Sequence, residues 1–206
     1  MTETRPQGLF APKLESDRLT YALFDMKNEM HMQFSVDIFN IEAAGIGPTD
    51  GAWTTNDARR LWFSWIMKPS DAQGRLLDTP CAYLVHLKNA PATPIGIITL
   101  CRRTPDIPLD LGYLISADYQ SKGYGSEGSG RISRYWKDEF GLEEICIITG
   151  ENNIPARKIA EGIDFIEGGY VMMGNTKMVA YVLPGMKKLD GQNFPFWGDG
   201  NVLEEN

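Results

Sequence analysis

Between Asp118 and Gly128 the chain reads Asp-Tyr-Gln-Ser-Lys-Gly-Tyr-Gly-Ser-Glu-Gly, with three glycines among polar residues. Two apolar, strand-like runs precede this stretch, Ile95 to Cys101 and Leu109 to Ile115. A helix-like segment follows, in which Ile132, Tyr135, Trp136 and Phe140 recur at spacings of three and four. A glycine-rich loop between a strand and a helix N-terminus is a device for holding phosphate. The glycines let the backbone come close, and the unpaired N–H groups of the first helical turn point at the anion. The backbone of Lys122 to Ser126 is therefore the candidate cradle for a phosphorylated cofactor, with the side chains of Gln120 and Lys122 in reach.

Two patterns overlap here. Gly123-x-Gly125-x-x-Gly128 satisfies the dinucleotide form G-x-G-x-x-G, and Glu151 follows the next strand-like run. A dinucleotide fold, however, places its first glycine almost at the strand end and continues with further βαβ units. Here Ser116 to Lys122 intervene, and a Pro- and Gly-rich tail follows soon after. The phosphate-loop form G-x-x-x-x-G-K-[S/T] is absent.

The second pattern is Gln120-Ser-Lys-Gly-Tyr-Gly125, which resembles the Q/R-x-x-G-x-G/A signature of the GNAT N-acetyltransferases. The resemblance extends along the chain in the family's order. Glu15-Ser-Asp-Arg-Leu-Thr20 resembles the opening of the branch that includes the ribosomal-protein N-terminal acetyltransferases. Pro94 to Ile98 and Asp110 to Tyr113 are similar to its third and fourth strands, and Glu151-Asn-Asn-Ile-Pro-Ala-Arg157 to its Glu-Asn-x-x-Ser-x-Arg segment. The resemblance implies one mixed α/β domain spanning 1–206, with a core of about 15–183 and a C-terminal tail from 184. Its central, mostly antiparallel sheet would be split in a V between the fourth and fifth strands.

The implied cofactor is acetyl-CoA, used as co-substrate. Gln120, Ser121, Lys122, Gly123, Tyr124, Gly125 and Ser126 would hold its pyrophosphate. Leu114, Ile115 and Ser116 would lie along the pantetheine, Asn152 would touch it near the thioester, and Arg157 would reach a phosphate or lie on a solvated helix face. An asparagine at a helix start also serves as an ordinary cap. Three positions depart from the family: Ile159 stands where a tyrosine commonly protonates the leaving thiolate, Pro155 replaces a serine, and Gly162-Ile-Asp-Phe165 carries an inserted residue. Water or Tyr170 is left as the acid. A non-catalytic acyl-CoA-sensing module is the alternative class, and a dinucleotide-binding protein a more distant one.

The expected acceptor is an amine, whether a protein N-terminus, a polyamine or a small molecule. An ammonium cannot attack a thioester, so a base must first take its proton. Asp110 occupies a position where relatives carry Glu or Asp, and strand alternation puts it on one face with Gly112 and Leu114, predicting open space above Gly112. The alternative is a solvated aspartate at the strand entry. The acceptor pocket would be walled by Ile46 to Trp53, Trp62 and Tyr170.

Elements that must position these residues follow from pattern. A strand is expected at Arg18 to Leu23 and a helix at Lys27 to Asn40, with Met30, Phe34 and Ile38 at spacings of four. A loop is expected over Ala43 to Trp53, then a second helix capped by Thr55 and burying Leu61, Trp62, Trp65 and Ile66. Further strands are expected at Cys81 to Leu87, Glu144 to Ile148, Phe165 to Val171 and Met178 to Leu183, with a short helix near Pro155 to Glu161. Gly128 and Gly130 lie early in the helix after the loop, where each costs about 1 kcal/mol relative to alanine. They fit either a close cofactor approach or a weak helix start.

Composition narrows the partners. The 206-residue chain carries 20 Lys and Arg against 27 Asp and Glu, a net charge of −7. That argues against a nucleic-acid surface, while acidity would attract a cationic amine. No apolar run approaches membrane-spanning length. Cys81, Cys101 and Cys146 fall in strand-like runs, consistent with reduced, buried thiols in the cytoplasm. Three cysteines and two histidines without metal-ligand spacing predict no metal site, and His31 and His86 fit structural roles. A homodimer is compatible with the resemblance.

Overall fold

The computed structural model describes residues 10–42, 53–61, 81–101, 103, 107–139 and 141–194. Its centre is a nine-stranded sheet in the order β1-β2-β3-β4-β5-β6-β8-β7-β9. The strands are β1 (Lys13–Glu15), β2 (Leu19–Leu23), β3 (Ala82–Leu87), β4 (Ala90–Cys101), β5 (Leu109–Ile115), β6 (Ile145–Gly150), β7 (Ile166–Met173), β8 (Thr176–Val182) and β9 (Gln192–Phe194). The helices are α1 (Glu29–Glu42), α2 (Thr55–Leu61), α3 (Tyr124–Arg134) and α4 (Ile154–Gly162). Neighbouring strands are antiparallel except β5 with β6 and β7 with β9.

The expected split is present. Strands β5 and β6 pair only at Leu109↔Ile145 and Asp110↔Cys146. Beyond those two rungs β5 continues to Ile115 and β6 to Gly150 with no pairing between them. The sheet is thus two antiparallel halves joined at a fork.

Side-chain alternation sends successive residues to opposite faces. On one face Leu109, Leu111, Ile132, Tyr135, Trp136, Ile147, Ala160 and Tyr181 share a core under α3 and α4. On the other face Met32, Val36, Ile38 and Phe39 of α1 pack with Leu84, Ile97 and Cys101. The buried side of α1 is thus Met32, Val36, Ile38 and Phe39; the expected Ile38 is among them, and the expected Met30 is 77% exposed. Trp53 is core, stacked on Phe39 at 5.1 Å, with Asn40 bonded to both its backbone groups. Trp62, Trp65 and Ile66 lie outside the described residues, as does most of the loop from Ala43.

Helix ends correct two expectations. The cap of α2 is Thr54 rather than Thr55: its Oγ1 accepts from Asp57 N–H, while the Asp57 carboxylate accepts from Thr54 N–H at 2.8 Å. The helix after the glycine loop ends at Arg134 and runs on as a π-helical turn, Tyr135–Glu139. Tyr135 and Trp136 are fully buried there, and Ala11 N–H donates to the Tyr135 hydroxyl. Gly128 and Gly130 have a packing role. A Cβ on Gly128 would stand 3.0 Å from Ile98 Cδ1, and one on Gly130 3.2 Å from Ile163 Cγ2. These glycines seat α3 on the sheet and against α4.

Two short strands extend the sheet outside 15–183. The tail runs back along β7, with Leu189 N–H donating to Gly168 O and Gly191 N–H to Tyr170 O. Asp190 Oδ1 accepts Tyr170 N–H at 2.9 Å, directly beside Gly169, whose φ of +99° no branched residue adopts readily. Gly169→Ala meets both the strained φ and the Asp190 carboxylate. It is expected to cost about 1–3 kcal/mol, read as a lower urea midpoint at unchanged slope.

Candidate active site

The glycine loop begins where β5 ends. Ser116 N–H donates to Ile95 O, a short 3₁₀ turn spans Ala117–Tyr119, and the chain enters α3 at Tyr124. Gly123 caps that helix in the left-handed region at φ +81°, and Ser121 shares that region at +58°. A left-handed residue on either side of Lys122 turns the loop tightly, so the first helical N–H groups face outward. The first helical bond inside the turn runs from Glu127 N–H to Gly123 O. The N–H groups of Tyr124, Gly125 and Ser126 therefore have no acceptor within the helix.

The loop side chains brace the loop. Gln120 Nε2 donates to Ile115 O at 2.8 Å, and Lys122 Nζ donates to Asp118 O at 2.7 Å while lying over the Tyr119 ring. The strongest bracing comes from Arg18, which sequence reasoning placed in a motif but not in the site. Its Nε pairs with Glu127 Oε2 at 2.6 Å, its Nη1 donates to Lys122 O, and its guanidinium lies over the Tyr124 ring. Burial works to raise the Glu127 carboxyl, but bonds from the Arg18 N–H, Ser16 and the Arg18 guanidinium outweigh it and hold the group below its usual 4.5.

Above the fork, one edge of β5 is open. Because Ser116 bonds to β4, alternation turns the main chain of Ile115 and Tyr113 away from β4, toward the edge β6 has left. Of the three residues expected along an elongated ligand, only Ile115 presents main chain there. Leu114 and Ser116 have theirs turned to β4. Tyr113 closes the α4 side of the gap, its hydroxyl donating to Ala156 O at 2.8 Å.

At the fork itself sits Asp110, with a side chain only 2% exposed. Oδ2 accepts from Arg103 Nε at 2.7 Å and pairs with Nη2 at 2.6 Å, and Oδ1 accepts from Ile148 N–H at 3.0 Å. The open space expected above Gly112 is filled, since a Cβ there would lie 2.5 Å from Thr99 Oγ1. The solvated strand-entry alternative fails as well, because the carboxylate is buried. Tyr170 lies two strands beyond β6 and packs with the α3–α4 face, opposite Asp110, with Lys177 Nζ 3.6 Å above its ring. The fold does not bring Asp110 and Tyr170 together.

At the start of α4 the cap is Asn153, whose Oδ1 accepts Ala156 N–H. Its neighbour Asn152 is exposed and is not needed as a cap. Arg157 points back into the fold, donating to the Tyr181 hydroxyl and Glu151 O and pairing with Glu167 at 3.4 Å. Those contacts correct the solvated-face reading of Arg157. Ile159 Cδ1 lies 2.9 Å from where a Gly125 Cβ would be, so this departure packs against the glycine loop. His31 Nδ1 accepts Asp25 N–H, and His86 Nδ1 lies 2.9 Å from Pro91 O. Of the expected acceptor wall, residues 46–52 and Trp62 lie outside the described residues. Among the described residues no three His, Cys, Asp or Glu side chains gather as a metal set, and no helix is long and apolar enough to cross a membrane.

Comparison with known proteins places this geometry. A family model described as an acetyltransferase (GNAT) domain matches residues 18–166. The structure of a GNAT-family acetyltransferase from Bacillus anthracis matches with a TM-score of 0.58 at 19% identity, covering 83% of this chain and 97% of that one. A structure described as a ribosomal-protein-serine acetyltransferase from Vibrio cholerae gives 0.58 at 14% identity, covering 84% and 99%. A structure described as a chimera of the spermidine N-acetyltransferase SpeG from Vibrio cholerae and hSSAT gives 0.60 at 14% identity, covering 81% and 95%. At these identities the likeness is one of fold.

Two outcomes follow from the geometry. Asp110→Asn leaves the Arg103 charge without its carboxylate, so a loss of about 3 kcal/mol is expected in urea unfolding; full stability with lost turnover would instead mark a base. Glu127 has a lowered folded pKa, so its stabilisation is complete above 4.5 and fades as pH falls through the lower folded value. Glu127→Gln should therefore flatten the midpoint-against-pH curve between about pH 5 and 3.

Proposed function

The chain belongs to the GNAT acetyltransferase family, and from that premise we propose that it transfers the acetyl group of acetyl-CoA to an amine by direct attack on the thioester. The observation that carries this reading is continuity: the open edge of β5 leads from the fork to the free N–H groups of Tyr124, Gly125 and Ser126. An extended pantetheine fits such an edge as an added strand, and a pyrophosphate fits the helix start. Ile115 supplies main chain to the arm, and Asn152, free of capping duty, supplies an amide near the thioester.

Within this reading the acceptor approaches from the α1–α2 face, and the net charge of −7 favours its cationic form in the encounter. Before attack that ammonium must lose a proton. Asp110 is a poor recipient with three donors already on its carboxylate, so we assign it to positioning and proton removal to water. The amine nitrogen bonds to the acetyl carbon and gives its second proton to water, the carbon–sulfur bond breaks, and coenzyme A leaves as a thiolate. Ile159 has no proton to give and Tyr170 lies on the far face, so water protonates the sulfur. Acceptors to try first are polyamines and protein N-termini, the classes named for two of the matched structures.

Calorimetry with acetyl-CoA and with a nicotinamide dinucleotide tests the cofactor, and a panel of amines and alcohols scored by thiol release tests the reaction. Expected are micromolar binding of acetyl-CoA, no dinucleotide binding, and thiol release with at least one amine. Binding of the dinucleotide alone would overturn the cofactor. Turnover on alcohols alone would overturn the amine, and tight acetyl-CoA binding without any turnover would favour the sensing module.

A further inference from the structure

Glu127 poses a physical problem for a phosphate site. It lies in the first turn of α3, one helical turn from the three free N–H groups, and its lowered pKa keeps it charged at neutral pH. A carboxylate so placed satisfies the helix start by itself and repels a pyrophosphate. At an effective dielectric of about 20, a unit charge about 5 Å from another changes a binding constant by roughly a hundredfold, which salt screening at an exposed site brings down to about tenfold.

The surrounding residues remove that conflict. Arg18 engages both carboxylate oxygens, its backbone N–H on Oε1 at 2.8 Å and its Nε on Oε2 at 2.6 Å. Ser16 Oγ donates to Oε1 at 2.7 Å. A serine hydroxyl has one proton, so the 2.7 Å contact between Ser16 Oγ and the Tyr21 hydroxyl is donated by the tyrosine. Burial pushes that phenol up to about 12, which keeps it a donor. Glu127 is thus drawn toward β2. The guanidinium that draws it also covers the loop: Nη1 holds Lys122 O at 3.0 Å, and Nη2 is 3.2 Å from where a Gly123 Cβ would be.

We propose that Arg18 is a positioning residue for the cofactor pyrophosphate, neutralising Glu127 and fixing the 122–124 turn so that the α3 N-terminus stays open to an anion. The inference rests on the acetyl-CoA reading. It adds that affinity for the phosphorylated end depends on the ion pair between Arg18, at the entry to β2, and Glu127 of α3, with Arg18 needed because Glu127 is there.

The test measures KM and kcat for acetyl-CoA and for S-acetylpantetheine, which lacks the pyrophosphate, in Arg18→Gln, Glu127→Gln and the double variant. Arg18→Gln is expected to raise KM for acetyl-CoA about tenfold with kcat and the S-acetylpantetheine reaction unchanged. Glu127→Gln should leave KM within about threefold of wild type, and the double variant should recover most of the loss. A double variant as weak as Arg18→Gln would overturn the neutralising role. An equal loss with S-acetylpantetheine would overturn it also, because the effect would then be general. Thermal unfolding of each variant identifies a misfolded one, and Arg18→Lys, which keeps the charge but cannot hold Glu127 and Lys122 O together, should fall between wild type and Arg18→Gln. A wild type that fails to bind acetyl-CoA would refute the cofactor reading, a result distinct from any of these.

Discussion

Everything the site offers depends on how the sheet is held at its fork. Two strands that pair at two rungs and then part leave main-chain groups without partners, and buried unpaired groups cost about 1–3 kcal/mol each. Asp110 resolves the first of these by accepting Ile148 N–H, so a side chain takes over where the backbone ladder stops. A buried carboxylate is itself costly, and Arg103 answers that charge with two contacts on one oxygen. The result is a joint that keeps β5 and β6 together at one end and apart at the other. Tyr113 then sets the depth of the gap by reaching α4.

The glycine spacing of α3 has a second meaning once the neighbours are known. Position 125 faces Ile159, position 128 faces Ile98 and position 130 faces Ile163. Three isoleucines, one in β4, one in α4 and one capping α4, therefore set how near the helix lies to the sheet and to α4. A helix pressed this close brings its N-terminus to the mouth of the gap. The loop pattern that suggests phosphate binding is thus partly a packing pattern, which is why G-x-G-x-x-G alone could not separate two cofactor classes.

Much of this was legible in the chain. Seven of the nine strands lie in runs whose alternation or apolar content marks them, and the glycine loop stands where the sequence placed it. What escaped reading was tertiary in origin. The three-residue strands at Lys13–Glu15 and Gln192–Phe194 carry almost no pattern and exist because a partner edge accepts them. The Arg18–Glu127 pair joins residues 109 positions apart, and the Arg103–Asp110 pair joins polar residues across a turn. Asp110 looked like a free carboxylate because nothing in its own strand announces Arg103. One signal was available and misread: Thr54-x-x-Asp57 is a capping box one residue before the assigned cap. Asn153, and not the Asn152 weighed as an alternative cap, precedes the first helical residue of α4.

The three cysteines acquire a use from their surroundings. All are free and buried, and burial pushes the Cys101 thiol up to about 11 and raises those of Cys81 and Cys146. Since the thiolate is the nucleophile, the folded protein is chemically silent toward alkylating reagents near neutral pH. Labelling must wait for an opening event, and its rate reports the free energy of that event. Cys81 and Cys101 lie in one half of the sheet and Cys146 in the other. The chain therefore carries its own clock for each side of the fork, with no probe added.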